Sequence, residues 1–240
     1  MAAGVYPIRG QIRVRNSGIV LRGAGKGENP QENTILYGLG NTPHHRDLIV
    51  FGSSQKVKYQ FKKVAPFVYT SISDSIVPVG SRTFKVYRGS NFKIGDRILI
   101  SHTCSKTWLR AINKGGVDTD KPWAVDEHPI IYDRQITAIA DNQITIDAPV
   151  FYTLKKQRAT TFVYPYPKHL QVIENVGIEN IRIDNSYRHA EDEAHVRNSL
   201  VFRLVKNGWI KNCTATHFLR AGFSIQYSKH ITIYLSLIHI

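Results

Sequence analysis

Val176-Gly177-Ile178-Glu179-Asn180-Ile181-Arg182-Ile183 is echoed by Gly208-Trp209-Ile210-Lys211-Asn212-Cys213-Thr214-Ala215, with Asn180 and Asn212 32 positions apart. A fainter third copy, Lys229-His230-Ile231-Thr232-Ile233, aligns Ile231 with Ile210. A short strand that returns at uneven spacing, each time with an asparagine, is the pattern of a coil of stacked rungs whose loops leave from one corner. Asparagine tolerates the left-handed conformation at such a corner, and asparagines stacked along the coil can hydrogen-bond to one another.

Outward from this repeat, nearly every apolar segment is short, rich in Val, Ile, Thr, Tyr and Phe, and bounded by Gly, Asn, Asp or Ser. That texture predicts strands, and the chain reads as all-β. The first region, 1–75, carries strands over Gln11–Arg15, Gly18–Gly23, Thr34–Leu36 and Leu48–Phe51. Its glycine-rich run Arg22-Gly23-Ala24-Gly25-Lys26-Gly27 lacks the GK[ST] ending and the following amphipathic helix of a phosphate loop, so its glycines are read as permitting a tight turn.

Residues 76–150 read as an inserted antiparallel module, with strands at Thr83–Tyr87, Phe92–Ile100, Arg134–Ile139 and Gln143–Asp147. Ala140-Asp141-Asn142 supplies the hairpin connection between the last two. Within the module, His102–His128, including Lys114-Gly115-Gly116, reads as a long exposed loop. Residues 151–234 return to serial strands, and 235–240 read as a non-native tail. The alternation of Val5, Ile8, Ile12 and Val14 from the outset predicts a fragment whose native ends lie further out.

With 42% hydrophobic and 10% aromatic residues the chain can bury a substantial core, which excludes a disordered protein. Lys and Arg number 32 against 18 Asp and Glu, a formal charge of +14 that favours polyanionic partners. The basic residues are scattered without an RNA-binding, zinc-finger or helix-turn-helix pattern, which argues against nucleic acid. No apolar run is long enough to span a bilayer, and the opening residues lack the pattern of a signal peptide. Cys104 and Cys213 stand far apart with no ligand spacing and are read as buried thiols.

Two polar clusters could carry chemistry. Arg188-His189-Ala190-Glu191-Asp192-Glu193-Ala194-His195-Val196-Arg197-Asn198 lies between two rungs, where a loop can overhang a groove. The alternative is a solvated charged loop. Asn212, Thr214, His217 and Arg220 follow the Trp209 rung. If Cys213 and Ala215 face one side of a strand, then Asn212, Thr214 and Thr216 face the other.

Cleaving a uronate by β-elimination needs a base at C5, a proton donor to the leaving oxygen and positive charge at the C6 carboxylate. His195 or His217 as base, with Arg197 or Arg220 on the carboxylate, fits that scheme. A hydrolase needs two placed carboxylates, for which Asp192 with Glu193 or Asp184 are the candidates. Further candidates for substrate binding are Asn198 and Asn212. In the inserted module His102, Trp108, Arg110, Trp123 and Arg134 could form a sugar platform, or Trp108 and Trp123 could close a small core. No metal is assigned, although Ca2+ remains open, with Asp184, Glu191 and Asp192 as oxygen donors.

The opening Ala3-Gly4-Val5-Tyr6-Pro7-Ile8, the run Gly18-Ile19-Val20-Leu21-Arg22-Gly23-Ala24-Gly25 and the stretch Val172 to Asp184 resemble rungs of the pectate-lyase-like superfamily. Asp192, Glu193, His195 and Asn198 resemble an Asp-Glu-x-His-x-x-Asn signature in that family. The resemblance implies a right-handed parallel β-helix from a longer bacterial protein, secreted or periplasmic, with the antiparallel module set between rungs. It implies a carbohydrate-active protein. With the charge it leads to the expectation of a lyase on acidic polysaccharide, the alternatives being a hydrolase and a non-catalytic adhesin or tailspike-like binder.

Overall fold

A computed structural model describes residues 1–40, 46–53, 68–113, 121–168, 170–189 and 192–239. The first strands are β1 (Gly4–Ile8), β2 (Ile12–Val14), β3 (Val20–Gly25), β4 (Thr34–Gly38) and β5 (Asp47–Gly52). Next come β6 (Thr70–Ser71), β7 (Ile76–Val77), β8 (Thr83–Lys85), β9 (Arg97–His102), helix α1 (Lys106–Ala111), β10 (Ile130–Ala140), β11 (Gln143–Ile146), β12 (Leu154–Lys155) and β13 (Thr161–Pro165). The last are β14 (Ile173–Asn185), β15 (Asn198–Arg203), β16 (Val205–Lys211), β17 (Thr214–Thr216), β18 (Ala221–Gln226), β19 (Lys229–Tyr234) and β20 (Leu237–His239). They fall into two compact units, Met1–Lys58 with His169–Ile240, and Tyr59–Lys168.

In the first unit every pairing is parallel, and the chain visits three ladders in the same order on successive passes. One ladder joins β3, the first half of β14, β16 and β19. The second joins β1, β4, the second half of β14, β17 and β20. The third joins β2, β5, β15 and β18. Apolar side chains from all three meet in one core that includes Leu36, Phe51, Ile178, Ile183, Phe202 and Ile210.

The corner between the first two ladders follows from one residue. Along β14 the inward positions are 176 and 178, then 181 and 183, so the period-2 alternation slips by one at Asn180. Asn180 takes the left-handed conformation (φ 55°), as do Asn212 (φ 51°) and Leu235 (φ 50°) at the equivalent corners. The expected asparagine stack is present: Asn212 Nδ2 donates to Asn180 Oδ1 at 2.8 Å. A second column, not anticipated, runs through Asn175, Asn207 and His230, all left-handed. Replacing Asn212 by alanine removes one side-chain bond and puts a Cβ-bearing residue without a local polar partner in the left-handed region. Urea unfolding should show a loss of about 1–2 kcal/mol, and clearly less for glycine.

Several readings of the sequence are corrected. Ile210 pairs with Ile233, and Ile231 pairs with Gly208, so the third copy of the repeat is set two residues later than its best sequence match. Gly23 and Gly25 lie inside β3, not in a turn. A Cβ at Gly23 would collide with the Asn180 carbonyl oxygen and approach Ile181 Cγ1 at 2.7 Å, so the close approach of β3 to the corner of β14 requires this glycine. Apart from these corrections, Leu237–His239 pair with β17 in the second ladder.

The second unit is antiparallel. Its larger sheet runs β6, β13, β9, β10, β11, β8, and β12 pairs with β7. The unit extends beyond 76–150 because β13 and β6 complete the sheet on one side of β9. The hairpin of β10 and β11 turns at Asp141 (φ 52°) as its sequence indicates. His102–His128 is not a simple exposed loop: it contains α1, capped by Ser105 Oγ accepting from the Trp108 N–H, and Trp108 and Leu109 are buried. Lys114, Gly115 and Gly116 lie outside the described residues. Among the described residues no helix is long and apolar enough to cross a membrane.

Candidate functional site

The second ladder of the parallel unit ends in a polar cluster. Asp184, near the end of β14, sits between Arg182 and Asn185, and its register partner on β4 is Tyr37. His217 follows β17 in the left-handed conformation (φ 51°), where the chain leaves this ladder for the third. That turn brings the imidazole back toward β14, and Nδ1 lies 2.6 Å from Asp184 Oδ1. On the other side, the ring of the exposed Tyr187 stacks on the imidazole with centroids 4.4 Å apart and planes at 21°.

Burial alone would raise the Asp184 carboxyl. Hydrogen bonds from His217 and from the Asn185 N–H outweigh it and hold the group below its ordinary value. Arg182 adds an ion pair at 3.3 Å on Oδ2, and itself reaches Glu28 at 3.3 Å. A carboxylate that stays ionised fixes the neutral imidazole with its proton on Nδ1. The lone pair of Nε2 is then available, on a side chain 35% exposed.

In the described part of the segment 188–198, Asp192 ties its own neighbours together, while Val196, Arg197 and Asn198 bond to residues outside the segment. Asp192 accepts from the Arg188 N–H at 2.9 Å and from the Ala194 N–H at 2.8 Å, which together hold its carboxyl below the usual range. His195 is buried, and its Nδ1 has no hydrogen-bond partner among the described residues. It lines a pocket of about 110 Å³ shared with Ser186, Tyr187, Arg188 and Asp192. Glu193 is exposed, and Glu191 lies outside the described residues. Asn198 is buried in β15 and donates to Asp47 Oδ1 at 2.6 Å. Arg197 and the exposed Arg220 are joined through the backbone, the Arg220 N–H donating to the Arg197 carbonyl at 2.8 Å.

Tyr187 is the link that brings the two clusters together, since it touches His217 and lines the His195 pocket. Asn212 stands at a corner and bonds along the asparagine stack, away from the Asp184 position. Trp108, Trp123 and Arg134 belong to the antiparallel unit. There Trp108 donates from Nε1 to the Tyr152 hydroxyl at 3.0 Å, stacks on Trp123 and packs with Cys104, Leu109 and Ala159. The Arg134 guanidinium is spent on the carbonyls of Asp133, Ala148 and Pro149. Cys213, like Cys104, is a buried thiol. Among the described residues no group of three or more His, Cys, Asp and Glu converges on a metal position.

No protein-family model matches the chain, and no curated protein matches its sequence. Solved structures similar to it include three phage tailspikes. The tailspike gp49 of Pseudomonas phage LKA1 is 15% identical with a TM-score of 0.46, over 93% of this chain and 30% of that one. The tailspike gp61 of Pseudomonas phage phi297 is 10% identical with a TM-score of 0.47, over 99% and 38%. The gp54 tailspike of Acinetobacter baumannii bacteriophage AP22, solved with A. baumannii capsular saccharide, is 10% identical with a TM-score of 0.42, over 98% and 40%. The chain thus spans between 30% and 40% of the length of these proteins. Likeness at this level says nothing of substrate or reaction.

Proposed function

We propose that the parallel unit is a section of a right-handed β-helix of the pectate-lyase-like kind, from a longer exported protein, and that it binds an acidic polysaccharide. The observation that carries this reading is the exposed Tyr187 ring stacked on His217 at the end of the second ladder. An aromatic face suits a pyranose ring, and Arg188 and Arg220, close by in the chain, suit its carboxylate. The +14 charge draws a polyanion to the surface over longer range.

A second reading, cleavage by β-elimination, is favoured by the Asp184–His217 bond. Nε2 of His217 would take the C5 proton, the C–H electrons would form the C4–C5 double bond, and the C4–O bond would break as the leaving oxygen is protonated. An arginine would neutralise the C6 carboxylate as charge builds there. Two of the three candidate carboxylates, Asp184 and Asp192, do not suit the general acid of a hydrolase. A general acid must hold its proton at the working pH, whereas hydrogen bonds hold both Asp184 and Asp192 below their ordinary values.

Calorimetric titration of the 240-residue chain with polygalacturonate and alginate oligomers tests the binding. Replacing Tyr187 and His217 together by alanine should remove one set of sites from the isotherm. An isotherm unchanged in that variant would sink the reading. Release of unsaturated uronate, followed by ultraviolet absorbance and abolished in H217Q with binding retained, would establish elimination. Binding without any new absorbance would leave a non-catalytic glycan binder.

A further inference from the structure

On the outer face of the first ladder, away from the cluster at Asp184, one row of register partners is Val20, Gly177, Trp209 and Thr232, and the next is Arg22, Glu179, Lys211 and Tyr234. Gly177 has no side chain, and Trp209 on the neighbouring strand uses the space. A Cβ at position 177 would collide with Cε2 and Nε1 of the indole and lie 2.6 Å from Cδ2. One face of the ring therefore rests on the backbone of β14, and the other looks away from the sheet. Trp209 Nε1 donates to Glu179 Oε1 at 2.7 Å, while the second oxygen of the same carboxylate takes Arg22 Nε at 2.7 Å. The indole is held on two sides before any ligand arrives.

The surroundings are basic. Arg22 is 66% exposed, and Lys211 is also exposed. Glu179 is already bonded to Trp209 and Arg22, and Glu174 pairs with Lys206 at 3.1 Å. Lys211 makes no ion pair among the described residues, though its charge helps to hold the Glu179 carboxyl low, and with Arg22 it gives two cations against the one carboxylate of Glu179 beside the ring. Tyr234, 55% exposed, extends the aromatic surface along the second row.

We propose that Trp209 is the floor of a second glycan-binding site, in which a pyranose ring of an acidic polysaccharide stacks on the indole while Arg22 and Lys211 meet its carboxylate. A ring already fixed by Glu179 loses little rotamer freedom on binding, which makes stacking more favourable than on a mobile side chain. This site takes its ligand class from the proposed function but stands on different residues, on another ladder.

Titration of the full chain with polygalacturonate oligomers, read by tryptophan emission and by calorimetry, tests it. Wild-type emission should shift on binding, and the shift should disappear in W209F, which still binds within a few-fold because a phenyl face can stack. In a chain already lacking Tyr187 and His217, W209A should weaken the remaining binding at least tenfold, and raised salt should weaken the wild type. G177A keeps the tryptophan but lifts it from the sheet, and is expected to weaken binding with an unchanged far-ultraviolet circular dichroism spectrum. Binding by W209A within twofold of its Trp209-containing parent in that background would overturn the proposal, as would equally tight binding of a neutral dextran of the same length. The variant lacking Tyr187 and His217 separates the two sites: it should keep the emission shift, whereas W209A should keep whatever binding depends on Tyr187 and His217.

Discussion

Replacing Asp47 by alanine is expected to cost the folded protein about 3–5 kcal/mol, the range for removing one partner of a buried charge pair. Asp47 opens β5, and its two oxygens serve two different neighbours on β15. Oδ1 accepts from Asn198 at 2.6 Å, and Oδ2 lies 3.2 Å from Arg203 Nη2. The Arg203 side chain is only 6% exposed, and its other nitrogens reach Gln226 Oε1 on β18 at 2.8 Å and the Ser53 carbonyl at 3.0 Å. The network thus ties three adjacent strands of the third ladder. Without the carboxylate, a buried guanidinium keeps its charge and loses the group that balances it. Urea unfolding followed by circular dichroism reads the loss directly. A change below about 1 kcal/mol would show that water reaches the guanidinium. The double variant D47A/R203M should recover much of the loss, because an apolar pair leaves no unbalanced charge behind.

The same network explains why the polar residues of segment 188–198 read from sequence as a reaction site. Asp192 and Asn198 are the residue types of catalytic constellations, yet in the fold Asp192 closes a turn on two N–H groups and Asn198 braces Asp47. Sequence carries residue type and local spacing. It does not carry the partner more than a hundred positions away that decides whether a carboxamide is available to a ligand. Arg46 is a parallel case: buried, it gives its guanidinium to the carbonyls of Gly10, Leu39 and Gly40, and nothing local in the chain announces it.

The rung repeat was legible because it is local. Strand texture and an asparagine at the corner recur within each pass of the chain, and the Asn180–Asn212 bond follows from their 32-residue spacing. The register of the third copy was not legible, because shorter turns change the length of the pass and only pairing fixes it. The Trp209 platform did leave a signal. Gly177 aligns with Trp209 in the repeat, so a missing side chain stands beside the largest one on a neighbouring strand. Its meaning depends on the strands being adjacent and on Glu179 reaching the indole nitrogen. For His217 the sequence indicated the side chain but not its partner, since the left-handed turn after β17 is what swings it onto Asp184.

Acid should destabilise the antiparallel unit through His102. This residue ends β9, between β10 and β13, and is 1% exposed. Nδ1 meets Thr161 Oγ1 at 2.7 Å, Nε2 has no partner among the described residues, and the rings of Trp108 and Tyr152 pack nearby. Burial lowers its pKa from 6.5 to about 4. The unfolded chain therefore binds a proton that the folded chain refuses between those two values, and stability from this group falls as pH drops through 6.5 toward 4. Below about pH 4 both states carry the proton and this loss levels off. Between pH 7.5 and 5 the expected loss is about 2 kcal/mol. His102→Asn keeps a polar atom for Thr161 without a titrating ring, so the stability of the variant should depend less on pH by that amount. Comparing urea unfolding of the two proteins at both pH values cancels the contributions of the other histidines. Equal pH dependence in the two proteins would mean that His102 accepts its proton inside the fold, with water or a shifted Thr161 reaching Nε2.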